Sequence, residues 1–328
     1  LVQKNNGDVR GAILIKRCTG SRGLSAFISL VVGVGFLSSA WARGVSPYLP
    51  HNISPDMDRK IARVLLLGDQ VAIRKPIAAA TVFDALPKAC KRDPVLCEEV
   101  RRYLNRFMHT AGITDLQVGL AAANGDSAMA IPNDHGQLVD SGWKVAALAY
   151  YQPSDYLLLS AGGIAYEGEA VPTGSLLSLG FDFAQLDIGF RDHWFSPLND
   201  SSSTISTHAT TMPSITLSNY EPITAVGFNY EIFGAQMSHQ DGIRYYGGTT
   251  SGNPYLAGIQ VGIEPVSGYA IALNRVMQYG GGARGGGSAS EFFDALFNNS
   301  NKPDALGQTE EFGNQVASLT SSIIFPGA

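Results

Sequence analysis

The stretch "SLGFDFAQLDIGFRDHWFSP" runs from Ser178 to Pro197. Leu179, Phe181 and Phe183 alternate with Gly180 and Asp182, and after a break at Ala184 Leu186, Ile188 and Phe190 alternate with Asp187, Gly189 and Arg191. Side chains of an extended chain point to opposite faces at successive residues. A period of two with one apolar face therefore predicts two strands joined by a near-immediate turn.

The same period recurs outward from this pair. Leu116, Val118 and Leu120 alternate with Gln117 and Gly119, and Trp143, Val145, Ala147 and Ala149 share one face of the next run. Val226, Phe228, Tyr230 and Ile232 oppose Gly227, Asn229 and Glu231, and Ile259, Val261 and Ile263 oppose Gln260 and Gly262. Ten strands are expected, at 116–123, 143–151, 156–167, 175–183, 185–190, 213–218, 223–235, 255–263, 269–279 and 313–325. Alternation alone fits any half-exposed antiparallel sheet. The connections discriminate. Short turns at 152–155, 219–222 and 264–268 alternate with long links at 124–142, 191–212 and 236–254. That asymmetry is the pattern of an outer-membrane barrel, with apolar residues outside and polar ones inside. The pair Asn124-Gly125 offers a tight hairpin as an alternative early topology.

Composition agrees with a strand-rich exported protein. The 328 residues include 37 Gly, 13 Tyr and 15 Phe, and only 16% are charged, against roughly 25% in ordinary soluble domains. A net charge of −5 gives no basic excess for nucleic acid. Arg10, Lys16, Arg17 and Arg22 precede the apolar run Gly23–Ala40, followed by Ala40-Trp41-Ala42. This reads as a signal peptide at 1–42 cleaved after Ala42, with an uncleaved membrane anchor as the alternative.

Residues 43–112 read as a helical unit on the periplasmic side, and 113–328 as the barrel. Ser54-Pro55 with Asp56 and Asp58 opens a helix to about Leu67. A second is expected from near Thr81 to about Pro87, and a third from Asp93-Pro94 to between Thr110 and Gly112. Cys90 and Cys97 flank the start of the third. In an exported protein a disulfide is plausible there, with two reduced thiols as the alternative.

The six His residues form no zinc-ligand pair, and no G-x-S-x-G elbow occurs. Asp192, His193 and Ser196 share one loop, which is weak ground for a hydrolase triad. Asp182, Asp187 and Glu231 read as solvated lumen or rim acids. In "FRDHWFSP", Trp194 offers a flat apolar face beside Arg191, Asp192 and His193, a combination suited to a sugar ring; an aromatic girdle at the lipid boundary is the alternative. Arg244, Tyr245 and Tyr246 have the same character. Gly280, Gly282 and Gly285 spell G-x-G-x-x-G. That fingerprint needs a parallel βαβ unit, which an antiparallel series does not provide, so no nucleotide is expected. The glycines read instead as a mobile outer loop leading into an amphipathic helix with Phe292, Phe293, Leu296 and Phe297, expected to fold over the barrel mouth or into the lumen.

Several stretches together resemble the capsule assembly Wzi family. They are Ser54–Ile77, Asp187–Pro197, Thr211–Asn219, Ser251–Val261, Leu273–Gly282 and Glu311–Ser318. The resemblance implies an outer-membrane barrel of about eighteen strands with an N-terminal helical plug on the periplasmic side, and a lectin-like, non-catalytic role in holding capsular polysaccharide at the cell surface. It implies no cofactor. Outer-membrane lipid and the barrel assembly machinery are the other expected partners. A porin and an outer-membrane hydrolase are the alternative functions. Ten strands fall short of eighteen, so a C-terminal truncation is expected.

Overall fold

The computed structural model describes residues 44–50, 53–122, 131–132, 138–139, 141–198, 201–202, 204–205, 209–245, 248–285, 288–297 and 313–325. The expected signal peptide and Tyr246 lie outside the described residues.

Three helices come first: α1 (Pro55–Leu67), α2 (Ala79–Arg92) and α3 (Pro94–Leu104), followed by a 3-10 turn at Asn105–Phe107. Ser54 Oγ accepts from the Met57 N–H at 3.4 Å and Asp93 Oδ1 accepts from the Leu96 N–H at 3.0 Å. Each cap precedes a proline whose missing N–H costs nothing at the first helical position. Ile61, Val64, Val82, Leu86, Val100 and Leu104 form one buried core. α2 differs from expectation: it starts two residues early and continues through Pro87 to Arg92. Burial of Ala85, Leu86 and Ala89 against the neighbouring helices outweighs the hydrogen bond that Pro87 removes. Cys90 and Cys97 are bonded through their sulfurs, with Cα atoms 5.0 Å apart, which ties the end of α2 to α3.

The strands are β1 (Ala111–Leu120), β2 (Ile131–Pro132), β3 (Leu138–Val139), β4 (Trp143–Ser154), β5 (Leu157–Tyr166), β6 (Glu169–Val171), β7 (Leu176–Phe181), β8 (Ala184–Phe190), β9 (Pro213–Ser218), β10 (Asn229–Gln236), β11 (Gln240–Tyr245), β12 (Gly248–Gly252), β13 (Tyr255–Val266), β14 (Tyr269–Tyr279) and β15 (Gln315–Ile323). One antiparallel sheet runs β1-β4-β5-β7-β8-β9-β10-β13-β14-β15, with β6 added to β5. Its two end strands, β1 and β15, are not paired with each other, so the sheet is open. The pairs β2-β3 and β11-β12 are separate hairpins. The expected strand at 223–235 starts only at Asn229. A turn closed by Ile223 and Phe228, with Gly227 at φ +64°, takes up the preceding residues.

The faces of this sheet are inverted relative to a water-soluble protein. Leu116, Ile215, Leu273 and Leu319 are exposed, at 69%, 59%, 66% and 62%. Gln185, Asp187, Thr216, Glu231, Gln260 and Asn274 point the other way and are buried. Among the described residues no helix is long and apolar enough to cross a membrane; the strands carry the apolar band instead.

The three helices gather at the short-turn end of the sheet, where Ser267 Oγ donates to the Asp69 carbonyl at 3.4 Å and Tyr150 Oη donates to the His109 carbonyl at 2.6 Å. At the opposite end, the glycine stretch makes a 3-10 turn at Gly282–Arg284. It packs on the β11-β12 hairpin: the Ala283 N–H donates to Thr250 Oγ1 at 3.1 Å, and a Cβ on Gly282 would lie 2.4 Å from Ser251 O. The next helix, α4 (Ala289–Phe297), does not enter the lumen or cover the mouth. Phe292 and Leu296 pack on Ile232, Ala257, Ile259 and Met277. These residues alternate with the inward Glu231, Gln260 and Val276 and so lie on the outer face of the sheet.

Candidate functional site

The lumen is crossed by two segments. One is the chain between α1 and α2; the other is the loop after β8. They meet as a two-residue ladder, with the Lys75 N–H donating to the Trp194 carbonyl at 2.9 Å and the Trp194 N–H donating to the Lys75 carbonyl at 3.2 Å. Around this contact lies a buried ionic cluster. Arg191 donates from Nη1 to Asp187 Oδ2 at 2.8 Å and from Nη2 to Glu231 Oε2 at 2.6 Å. Glu231 also faces Arg74 Nε at 3.9 Å and His193 Nδ1 at 2.9 Å. Arg74 donates to the carbonyls of Tyr230 (2.6 Å) and Asn219. Tyr48 Oη donates to Asp187 Oδ2 at 2.7 Å, and its ring lies 4.5 Å from the Arg191 guanidinium carbon.

The fold explains why these groups meet. β8 and β10 flank β9, and Gln185 and Glu231 both pair with Ser218. Asp187 and Glu231 thus project inward from β8 and β10, and Arg191, just past the end of β8, bridges them. The N-terminal segment supplies Arg74 and Tyr48 from below. A charge removed from water is costly unless opposite charges and hydrogen bonds replace the solvent. Here two carboxylates are matched by two guanidiniums. Burial pulls the Arg191 value down, but Glu231, Tyr48 and Asp187 outweigh it and hold the guanidinium above its usual range. Burial lowers the His193 value, against the pull of Glu231, and favours the neutral ring. That ring stacks on Phe233 at 3.7 Å and 8°.

The candidate sugar-binding residues fall into two places. Arg191, His193 and Trp194 are buried, at 3%, 7% and 5% exposure, and Trp194 Nε1 donates to the Leu198 carbonyl at 3.1 Å. Asp187 and Glu231 are buried members of the cluster rather than solvated acids. Asp192 is half-buried and accepts from Thr211 Oγ1. With Arg191 it forms one wall of a cavity whose other walls include Tyr48, Phe107, Tyr150, Ser160 and Leu176. Arg244 is exposed and Tyr245 half-buried on the β11-β12 hairpin, which stands at the long-link end. Arg74 and Tyr48 carried no local signal in the sequence; only the register of β8, β9 and β10 reveals them. Among the described residues no group of three His, Cys, Asp or Glu side chains is placed to hold a metal.

Just under half of the chain matches a known sequence pattern. Residues 168–327 match the family described as Capsule assembly protein Wzi. The matched segment starts in the β5–β6 turn and takes in the ionic cluster from Asp187 to Glu231, the β11-β12 hairpin and α4. No curated protein matches the chain. One solved structure does so over 84% of this chain, at 15% identity and a TM-score of 0.57. It is described as Wzi, an outer membrane protein involved in group 1 capsule assembly in Escherichia coli and a carbohydrate binding β-barrel. The chain spans 58% of the length of that structure. At this identity the likeness establishes the barrel fold, and the Wzi-family pattern is consistent with it.

Proposed function

We propose that this protein is an outer-membrane barrel that binds exported capsular polysaccharide at the cell surface and helps to anchor it there, without catalysis. The observation that carries the proposal is the inverted sheet with an occupied lumen. Apolar side chains such as Leu116 and Leu273 face outward while the interior is polar, as lipid on one side and water on the other require. The lumen holds the Lys75–Trp194 ladder and the Arg191–Glu231 cluster, which disfavours the porin reading. With the helices below as a periplasmic plug, the surface left for a polysaccharide is the long-link end, where Arg244 and Tyr245 combine a cation with an aromatic face. Asp192, with Arg191 behind it, lines the cavity inside the barrel beside the ionic cluster. The Wzi-family match and the carbohydrate-binding solved barrel support this reading.

Deletion of the gene and cell fractionation test it. The protein sediments with the outer membrane, and cells lacking it release capsular polysaccharide into the medium. Recovery of the protein in the soluble periplasm would refute the proposal. Steady single-channel conductance in planar bilayers would favour the porin instead.

A further inference from the structure

α4 is apolar on two sides. Phe292 and Leu296 pack against the outer face of β10, β13 and β14, while Phe293 and Phe297 are exposed at 56% and 60%. The apolar arc is wide, taking in Phe292, Leu296, Phe293 and Phe297, while Ser290, Glu291 and Asp294 supply a polar remainder, the make-up of a helix that lies at an apolar–aqueous boundary. The wall beneath it is continuous with the outward apolar band of β13 and β14, where Leu273 stands exposed. The seat is shallow: Gly234 has no side chain, and a Cβ there would approach Phe292 Cε2 at 3.0 Å. Arg275, on the same outward face, donates from Nη1 to the Leu296 carbonyl at 3.1 Å and from Nη2 to Gln315 Oε1 at 2.8 Å. An outward arginine is costly at the bilayer midplane and much less so at the interface. Arg275 lies four residues from Tyr279, the long-link end of β14, and satisfies a helix-terminal carbonyl; with Ala257 and Met277 under Phe292 and Leu296, the helix covers the long-link half of the wall.

We infer that α4 is an interfacial helix that sinks Phe293 and Phe297 into the acyl chains of the outer leaflet at the long-link rim. This rests on the reading of the chain as a membrane barrel. The helix belts the barrel from outside and fixes its height in the membrane. It also holds the glycine turn and the β11-β12 hairpin above the lipid surface.

The test uses the full-length protein with single changes Phe293→Cys, Phe297→Cys, Leu217→Cys and Arg244→Cys, each labelled with an environment-sensitive fluorophore. The proteins are reconstituted in phosphatidylcholine vesicles with or without lipid carrying a quencher near the headgroup end of the acyl chain. Leu217 reports the outward strand face and Arg244 the aqueous hairpin. The expected result is quenching of about twofold or more at 293 and 297, comparable to 217, independent of protein-to-lipid ratio, and absent at 244. Quenching at 217 without quenching at 293 and 297 would overturn the inference while leaving the barrel in place. No quenching at 217 either would overturn both. A blue-shifted signal at 293 that is lost on dilution into excess lipid would instead assign the exposed phenylalanines to contact with a second copy of the chain.

Discussion

The Arg191 guanidinium donates to the Glu231 carboxylate at 2.6 Å, with both side chains buried in the lumen. The contact ties the loop after β8 to the far side of β9, and Arg74 joins it from the N-terminal segment. Removing one member leaves the other as an uncompensated buried charge, which costs about 3–5 kcal/mol. Glu231→Leu alone should therefore lower the unfolding free energy by that amount in detergent-solubilised protein. Adding Arg191→Met should recover part of the loss. Additive losses would show that the two residues act separately.

His193 makes the same cluster sensitive to acid. Its ring faces Glu231, Ser214 and Thr216, with Arg191 and Asp192 as the nearby charges. Its folded value lies below the usual 6.5 because burial penalises the imidazolium. The unfolded chain therefore takes up a proton first. Stability is retained above about pH 6.5 and is lost as the pH falls from there to the depressed folded value. Urea titrations at pH 8 and pH 5 should show a lower midpoint at pH 5, and His193→Gln should shrink that difference.

The Cys90–Cys97 bond closes a short loop across the α2–α3 junction. A loop of this size restrains the unfolded chain by about 2–3 kcal/mol in the entropic account. Reduction, or the paired change to Ser, should lower the midpoint for melting of the helices with little effect on the β signal in circular dichroism. Coincident loss of both signals would show that helices and sheet unfold as one unit.

Gly68 ends α1 where it crosses α2. A Cβ there would lie 2.5 Å from the Ala85 Cβ and 2.7 Å from its Cα. Gly68→Ala should force the helices apart and cost about 1–3 kcal/mol, whereas Gly285→Ala, with nothing within 4 Å, meets no steric neighbour and bears only its φ of +69°. Thermal denaturation of the two variants compares packing with backbone strain.

The strands were legible because a two-residue period survives without tertiary knowledge: 213–218 and 269–279 match β9 and β14. The helix starts at Pro55 and Pro94 were legible because their caps are local. Pro87 misled, since its local penalty is smaller than the burial around it. The outer placement of α4 was hidden because an amphipathic pattern names an apolar face but not the surface it covers. The ionic cluster was half legible. Arg191, His193 and Trp194 drew notice as a polar-aromatic run, but that run is equally suited to a sugar and to a buried contact. Only strand register, which pairs Gln185 and Glu231 with Ser218, brings to the end of β8 the carboxylate that Arg191 and His193 meet.

The central claim is recognition of polysaccharide at the long-link end. Its most direct measurement is equilibrium binding of purified capsular polysaccharide to the full-length protein in vesicles, for wild type and for Arg244→Ala with Tyr245→Ala. The account predicts saturable binding by the wild type and a loss of about tenfold in the double variant, equivalent to about 1.4 kcal/mol, with unchanged membrane insertion. Absence of binding by correctly inserted wild-type protein would contradict it.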